Sequence, residues 1–237
     1  MTHYGTTLLV PLALAVSAQA TLIPYTVGSA SNGKNNFGGD STDLHSGEEI
    51  TKGDTNDPTT WTAGGGAYQS EWQAQGLLAG AANNKLAWVV LDLGSTTSNL
   101  DSAYLWNIRQ ATGQNSRTIT YNIYHAISPA NALPTMPTNN DVVDYDFNTS
   151  GWTQLGDTLT MPQRGGEPDP ANQVVGLGGV SARYIGLEIL TNGGSTGRAG
   201  FSEIAITSSQ VVPEPSTLAL MGIAGLALGV RRRLRSA

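Results

Sequence analysis

The residues of this chain most able to do recognition chemistry are aromatic. Trp61, Tyr68, Trp72 and Tyr145 stand among Gly, Asn, Asp, Ser and Thr, in surroundings that read as loops. An exposed indole or phenol beside a few fixed polar groups stacks on the C–H face of a sugar while its neighbours bond the hydroxyls. Trp72, between Glu71 and Gln73, is the best placed of the four for a ligand contact. Trp88, Trp106 and Trp152 sit in strand patterns and read as core. The residues for catalysis are sparse. His125 lies on an apolar strand with no Ser or Asp at motif spacing, and His45 is isolated in an acidic loop. The Gly-x-Ser-x-Gly spelling at Gly193–Gly197 precedes no helical pattern and so is not a nucleophile elbow, and no His-Glu-x-x-His pair is present. Glu48-Glu49 reads as a solvated loop. Asp141, Asp144 and Asp146 read either as a solvated acidic loop or as a calcium loop. The glycine runs at 176–179 and 193–194 do not precede helical patterns and read as turns. A hydrolase would need two distant carboxylates to meet in the fold.

The two ends of the chain carry addresses. Leu8–Ala18 is apolar, and Ala18-Gln19-Ala20 is a small-x-small cleavage site, the form of a secretory signal peptide over residues 1–20. At the other end come Pro213-Glu214-Pro215, an uncharged apolar run at 216–230, and Arg231-Arg232-Arg233-Leu234-Arg235. The prolines stop helix and sheet alike. The apolar run is short for a span, but flanking arginines can snorkel and hold the basic tail, 231–237, in the cytoplasm. This order of parts resembles the PEP-CTERM sorting signal of bacterial surface proteins made alongside exopolysaccharide. That resemblance implies recognition by an exosortase-type membrane protease that cuts near Pro213-Glu214-Pro215. With signal peptidase acting after Ala20, the body lies outside the cytoplasm. It is held first in the inner membrane by the C-terminal helix and then released to the surface or matrix.

The body has no cysteine, so it has neither disulfides nor a thiol nucleophile, and a bound calcium is one substitute for such staples. Residues 1–210 hold 8 Lys and Arg against 17 Asp and Glu, a net charge near −9. That balance argues against nucleic acid and against docking on anionic lipid. Residues 21–49 form a loop-rich N-terminal segment. Strand patterns then follow at 87–93, 102–109, 118–126, 152–155, 182–190 and 201–207, separated by turn clusters, with a linker at 208–215. Alternation is clearest where Ile119, Tyr121 and Ile123 share one face, and where Ile185, Leu187 and Ile189 do. The pattern is all-β and predicts a β-sandwich.

The ordered set Asp54-Thr55-Asn56-Asp57-Pro58-Thr59-Thr60-Trp61, Trp88-x-x-Leu91-Asp92-Leu93-Gly94, Leu105-Trp106, Trp152-x-x-Leu155, Ala182-Arg183-Tyr184-Ile185 and Phe201-Ser202-Glu203-Ile204 resembles the discoidin, or coagulation-factor type C, domain over 50–207. The resemblance implies a jelly-roll sandwich of the galactose-binding-like group that binds ligands through loops and is not an enzyme. It also implies a structural calcium held by Asp54, Thr59 and Glu203, with Asn56 and Asp57 as further oxygen donors. Thr55 stands where that family has Gly, and the stretch at 129–151 is longer than usual. The function expected is a non-catalytic binder of exopolysaccharide or envelope glycan. The alternatives are a structural or adhesive matrix protein, or a glycan hydrolase.

Overall fold

The computed structural model describes residues 18–32, 41–45, 50–64, 71–74, 87–108, 118–138, 142–164, 169–192 and 199–211. Eleven strands are present among them: β1 (Ala18–Ile23), β2 (Thr26–Ala30), β3 (Ile50–Asp54), β4 (Asp57–Ala63), β5 (Trp72–Ala74), β6 (Ala87–Asn107), β7 (Ile119–Ala126), β8 (Thr153–Gln154), β9 (Leu159–Met161), β10 (Gln173–Thr191) and β11 (Ala199–Val211). The helical element among the described residues is one 3-10 turn, Ser41–His45. Ala20–Ser209 form one compact unit. The main sheet runs β1-β11-β6-β10-β7-β8, with β2 on β6, β5 on β11 and β9 on β7; β3 and β4 make a separate hairpin.

Two long strands organise the sheet. The first part of β6 pairs with β2 on one edge and with the end of β10 on the other, Val90 facing Gly186. The second part of β6 pairs with the start of β10 and with β11, Leu105 facing both Gln173 and Ile204. Between the two parts the register slips three times, from Gly176 to Tyr184. The backbone there takes positive φ at Gly94, Asn99, Gly178 and Gly179. Only Gly, and to a lesser degree Asn, accepts that conformation cheaply, so this stretch is where the ribbon bends. The sheet thus folds over into two layers, a jelly-roll sandwich. What the sequence divides into separate strands at 87–93 and 102–109 is one bent strand.

Alternation then sorts the side chains. Val89, Leu91, Ile185, Leu187, Ile119, Tyr121 and Ile123 face inward from the first layer and share one core with Ala103, Leu105, Phe201, Ile204 and Ile206 of the second. The outer faces are roofed as well. Trp88, Val90 and Tyr124 on the outside of the first layer pack under Tyr145, Phe147 and Trp152, which come from the long connection after β7 or its end. Trp106 and Ala205 on the outside of the second layer pack under Ile50, Trp61 and Ala63 of the β3–β4 hairpin. Leu133, Val143, Tyr145 and Phe147, from the described parts of the proline-rich stretch after β7, therefore serve as structural cover. Phe147 stacks on Tyr124 with centroids 4.7 Å apart. It lies so close over β10 that a Cβ on residue 186 would come within 2.3 Å of its ring.

Trp88, Trp106 and Trp152 are buried, as their patterns predict. Trp72 is a correction. It is a strand residue, 1% exposed, stacked on Phe201 and donating its indole N–H to the Asn32 carbonyl at 3.1 Å. Its polar neighbours suggested a surface, but Glu71 and Gln73 are themselves fully buried. A second correction is the segment before residue 50, which supplies two strands, β1 and β2, and so belongs to the sheet.

Candidate functional site

The β3–β4 hairpin is closed by Thr55-Asn56, and its turn is built from the side chains that flank them. The Asp54 carboxylate accepts the Asn56 N–H at 2.9 Å. The Asp57 carboxylate accepts the Thr59 N–H at 3.0 Å and the Thr59 hydroxyl at 2.6 Å. These are the local bonds that make Asp and Asn turn formers. The Trp61 indole reaches back to donate to the Asp54 carbonyl at 2.6 Å. In this register Lys52 stands directly opposite Trp61. Its ammonium sits over the indole, 4.2 Å from the ring centroid. Trp61 also stacks on Trp106, with centroids 6.1 Å apart; it is a correction too, a β4 residue 2% exposed instead of an open loop aromatic.

Beside this hairpin lies a pocket of about 190 Å³, lined by Leu22–Tyr25, by Lys52 and Trp61, and by Glu203–Ala205 of β11. It is smaller than the roughly 300–1,000 Å³ of pockets that enclose a drug-sized ligand, a size suited to one ring or one branch. Its floor is apolar and its walls carry one ammonium, one carboxylate and one phenol. The Tyr25 hydroxyl lies 2.8 Å from the carbonyls of both Leu44 and Ile204. Burial, and then the negative charge of Glu203, push its pKa well above the usual phenol value. Tyr25 is therefore a fixed neutral group. Glu203 is 2% exposed. Lys52 forms no ion pair among the described residues and contributes its charge to the pocket's rim.

Two further polar groupings lie on the outside of the first layer. Arg183 grips the Asp92 carboxylate with two bonds, of 3.1 and 3.0 Å, and holds it below the usual carboxylate range. The Glu188 carboxylate accepts the Tyr124 hydroxyl at 2.9 Å, and Tyr124 in turn accepts from Asn122 at 3.1 Å. Burial raises the Glu188 pKa, with smaller contributions from the charges of Asp146 and Asp144. Burial likewise pushes Tyr124 up to about 12 and lowers His125.

The structure thus joins two residues that the sequence put in different roles: Trp61, expected to meet a ligand, and Glu203, expected to meet a metal, line one pocket. Tyr145 is elsewhere, in the roof over the first layer, donating from its hydroxyl to Asn131 Oδ1 at 2.8 Å. Asp54, Asn56, Asp57 and Thr59 do share one hairpin, with carboxylate oxygens turned to their own turn. Among the described residues no group of three or more His, Cys, Asp or Glu could hold a metal. A calcium at this hairpin would take much of its six to eight oxygens from carbonyls and water. Ala18 and Ala20 lie in β1. Tyr68, Pro213, Glu214, Pro215, Arg231, Arg232 and Arg233 lie outside the described residues, as does the apolar run at 216–230. Among the described residues no helix is long and apolar enough to cross a membrane. Lys52 and Tyr25 are the pocket residues the sequence did not announce. Lys52 was within reach, because a hairpin turning at Thr55-Asn56 sets it across from Trp61. Tyr25 was not, since its place depends on pairing with a strand 179 residues away.

No curated protein matches the chain in sequence. Solved structures similar to it include a truncated AlyQ with CBM32 and alginate lyase domains, 15% identical over 81% of this chain, TM-score 0.42. The chain spans about a third of that protein, 34%. Others are the family 32 CBM from C. perfringens NanJ in complex with galactose, 15% identical over 80% of this chain and 100% of that one, TM-score 0.43, and a pectin binding carbohydrate binding module, 18% identical over 83% and 96%, TM-score 0.38. Residues 211–233 match the PEP-CTERM protein-sorting motif, so the chain carries that sorting signal directly behind its last strand.

Proposed function

We propose that this chain is an exported, surface-sorted, non-catalytic module that binds a glycan of the cell envelope or of a secreted polysaccharide matrix. Signal peptidase releases the N-terminus at Thr21, and an exosortase-type protease cuts near Pro213-Glu214-Pro215, freeing the body from its membrane helix. The observation that carries the binding reading is the pocket beside the hairpin. It sets the Lys52 ammonium at the rim of an apolar floor, over walls in which Trp61 and Glu203 are each 2% exposed and the Tyr25 hydroxyl is held by two carbonyls. A sugar ring offers the matching surfaces, with C–H bonds for the apolar floor and hydroxyls that accept from Lys52. The negative net charge of the body argues against polyanionic nucleic acid as the natural partner. Hydrolysis of a glycan takes two carboxylates, whereas Glu203 is the single carboxylate among the described residues of the pocket lining.

The test is titration of the purified body against neutral and acidic oligosaccharides. Lys52→Ala should weaken the best binder several-fold. Its folding should change by about 1 kcal/mol or less, the typical worth of an exposed cation–π contact. Unchanged sugar affinity in that variant would remove the pocket from the reading. The calcium implied by the hairpin donors is a separate part of the proposal. Melting the body in calcium and in chelator, with Asp54→Ala as the control, tests it; coincident melting curves for the wild type would delete the metal.

A further inference from the structure

The most concentrated buried chemistry in this molecule lies away from the pocket, where β5 meets β11. Glu71, Gln73, Ser202 and Asn107 are all fully buried, and Arg164 is 4% exposed. The Glu71 carboxylate is shared. Its Oε1 accepts the Ser202 hydroxyl at 2.7 Å, and its Oε2 accepts the Gln73 side-chain N–H at 3.1 Å. Gln73 faces Gly200 across the antiparallel ladder, which makes Ser202 its diagonal neighbour on the same face. The Arg164 guanidinium lies 3.8 Å from Glu71 Oε1 and donates to Ser202 Oγ at 3.4 Å, so positive charge stands beside the same atoms. An alcohol, a primary carboxamide and a carboxylate touching both are thus sealed from water in one place.

We propose that Ser202 and Gln73 form an ester cross-link between β11 and β5, with Glu71 as the catalytic acid–base. Ser202 Oγ attacks Gln73 Cδ as Glu71 Oε1 takes the hydroxyl proton. The tetrahedral intermediate collapses with cleavage of the Cδ–Nε2 bond. Glu71 returns the proton to Nε2, which leaves as ammonia. One O–C bond forms, one C–N bond breaks, and nothing is oxidised or reduced. The carboxylate already bonds both the atom that must lose a proton and the atom that must gain one. Attack requires a change of the Gln73 side-chain rotamer that carries Cδ to within ~3–3.5 Å of Ser202 Oγ. Exclusion of water protects the product from hydrolysis, and escape of ammonia to solvent draws the reaction forward. The cross-link would tie positions far apart in the chain, in a body that has no cysteine for a disulfide.

The experiment is intact-mass measurement and peptide mapping of the protein purified after expression of the full chain. The wild type should be lighter by one ammonia than the sequence between its mapped termini. Digestion should yield one linked peptide joining the Gln73 and Ser202 segments, which hydroxylamine separates. Ser202→Ala and Gln73→Met should each abolish the linked peptide and the ammonia deficit that maps to it. Asn32-Gly33 and Asn192-Gly193 can also lose ammonia, as succinimides, so the linked peptide decides. A wild type at full mass, a deficit that maps to those asparagines alone, or a linked peptide that survives in either variant would overturn the proposal. The wild-type measurement stands even if a variant does not fold.

Discussion

Gly186→Ala is the perturbation that most directly probes how the roof over the first layer is held. A Cβ at this position would come 2.3 Å from Phe147 Cε1 and 3.1 Å from two further ring atoms. Ordinary contact begins near 3.4 Å, so the ring must retreat by about 1 Å. It has little room to do so. Phe147 is 2% exposed, stacked at 4.7 Å on Tyr124, and edge-on to Tyr145 and Trp152 at 5.0 Å. Added methyl groups in packed sites cost about 1–3 kcal/mol, whereas removing a buried Phe costs about 3–5. Gly186→Ala should therefore lose about 1–3 kcal/mol and Phe147→Ala about 3–5. The double variant should lose no more than Phe147→Ala alone, because without the ring the new methyl meets nothing. Urea denaturation of all four proteins measures the coupling, which should be favourable by about 1–3 kcal/mol. Additive losses, within about 0.5 kcal/mol, would show that Phe147 does not rest on β10 at Gly186 and would refute the account of the roof.

Other perturbations address the core and the titrating groups. Trp72→Ala should destabilise by about 3–5 kcal/mol in a denaturant melt, since it empties a core site and strands the Asn32 carbonyl; a loss under about 1 kcal/mol would return Trp72 to the surface. Glu188 has a raised pKa in the folded state, so its contribution to stability is complete below the ordinary value of 4.5 and is lost as pH rises through the raised one. Melting temperatures followed from acid to neutral pH should accordingly fall less in Glu188→Gln than in the wild type; identical slopes would count against that burial. Asp92 has the opposite sign. Its pKa is lowered chiefly by the bond from Arg183, so its stabilisation is present above the ordinary value of 3.8 and disappears as pH falls through the lowered one. Asp92→Asn should flatten that acid limb, as read by melts below pH 4.

What could be read from the sequence, and what could not, divides along the range of the interactions. Strand character followed from local alternation. Ile119, Tyr121 and Ile123 on β7, and Ile185, Leu187 and Ile189 on β10, face the core as their spacing requires. The continuity of β6 was hidden because residues 94–99 read as a turn; pairing with an equally irregular β10 carries the strand through the bend. The aromatics were harder. Trp88 declared itself by apolar neighbours on either side, and Trp106 by the strand pattern of Tyr104-Leu105 before it. Trp72 was disguised by Glu71 and Gln73, whose burial is made tolerable by Ser202, 131 residues beyond Glu71, and by Arg164. A buried charge looks like a surface charge until its partner is known, and no local period reports a partner at that distance. The same reason explains the pocket. Trp61 and Lys52 lie on one hairpin and their meeting is local, but Tyr25 and Glu203 reach them only through the sheet. Polar residues in this chain therefore acquire meaning from topology, whereas its apolar residues carry theirs in the spacing.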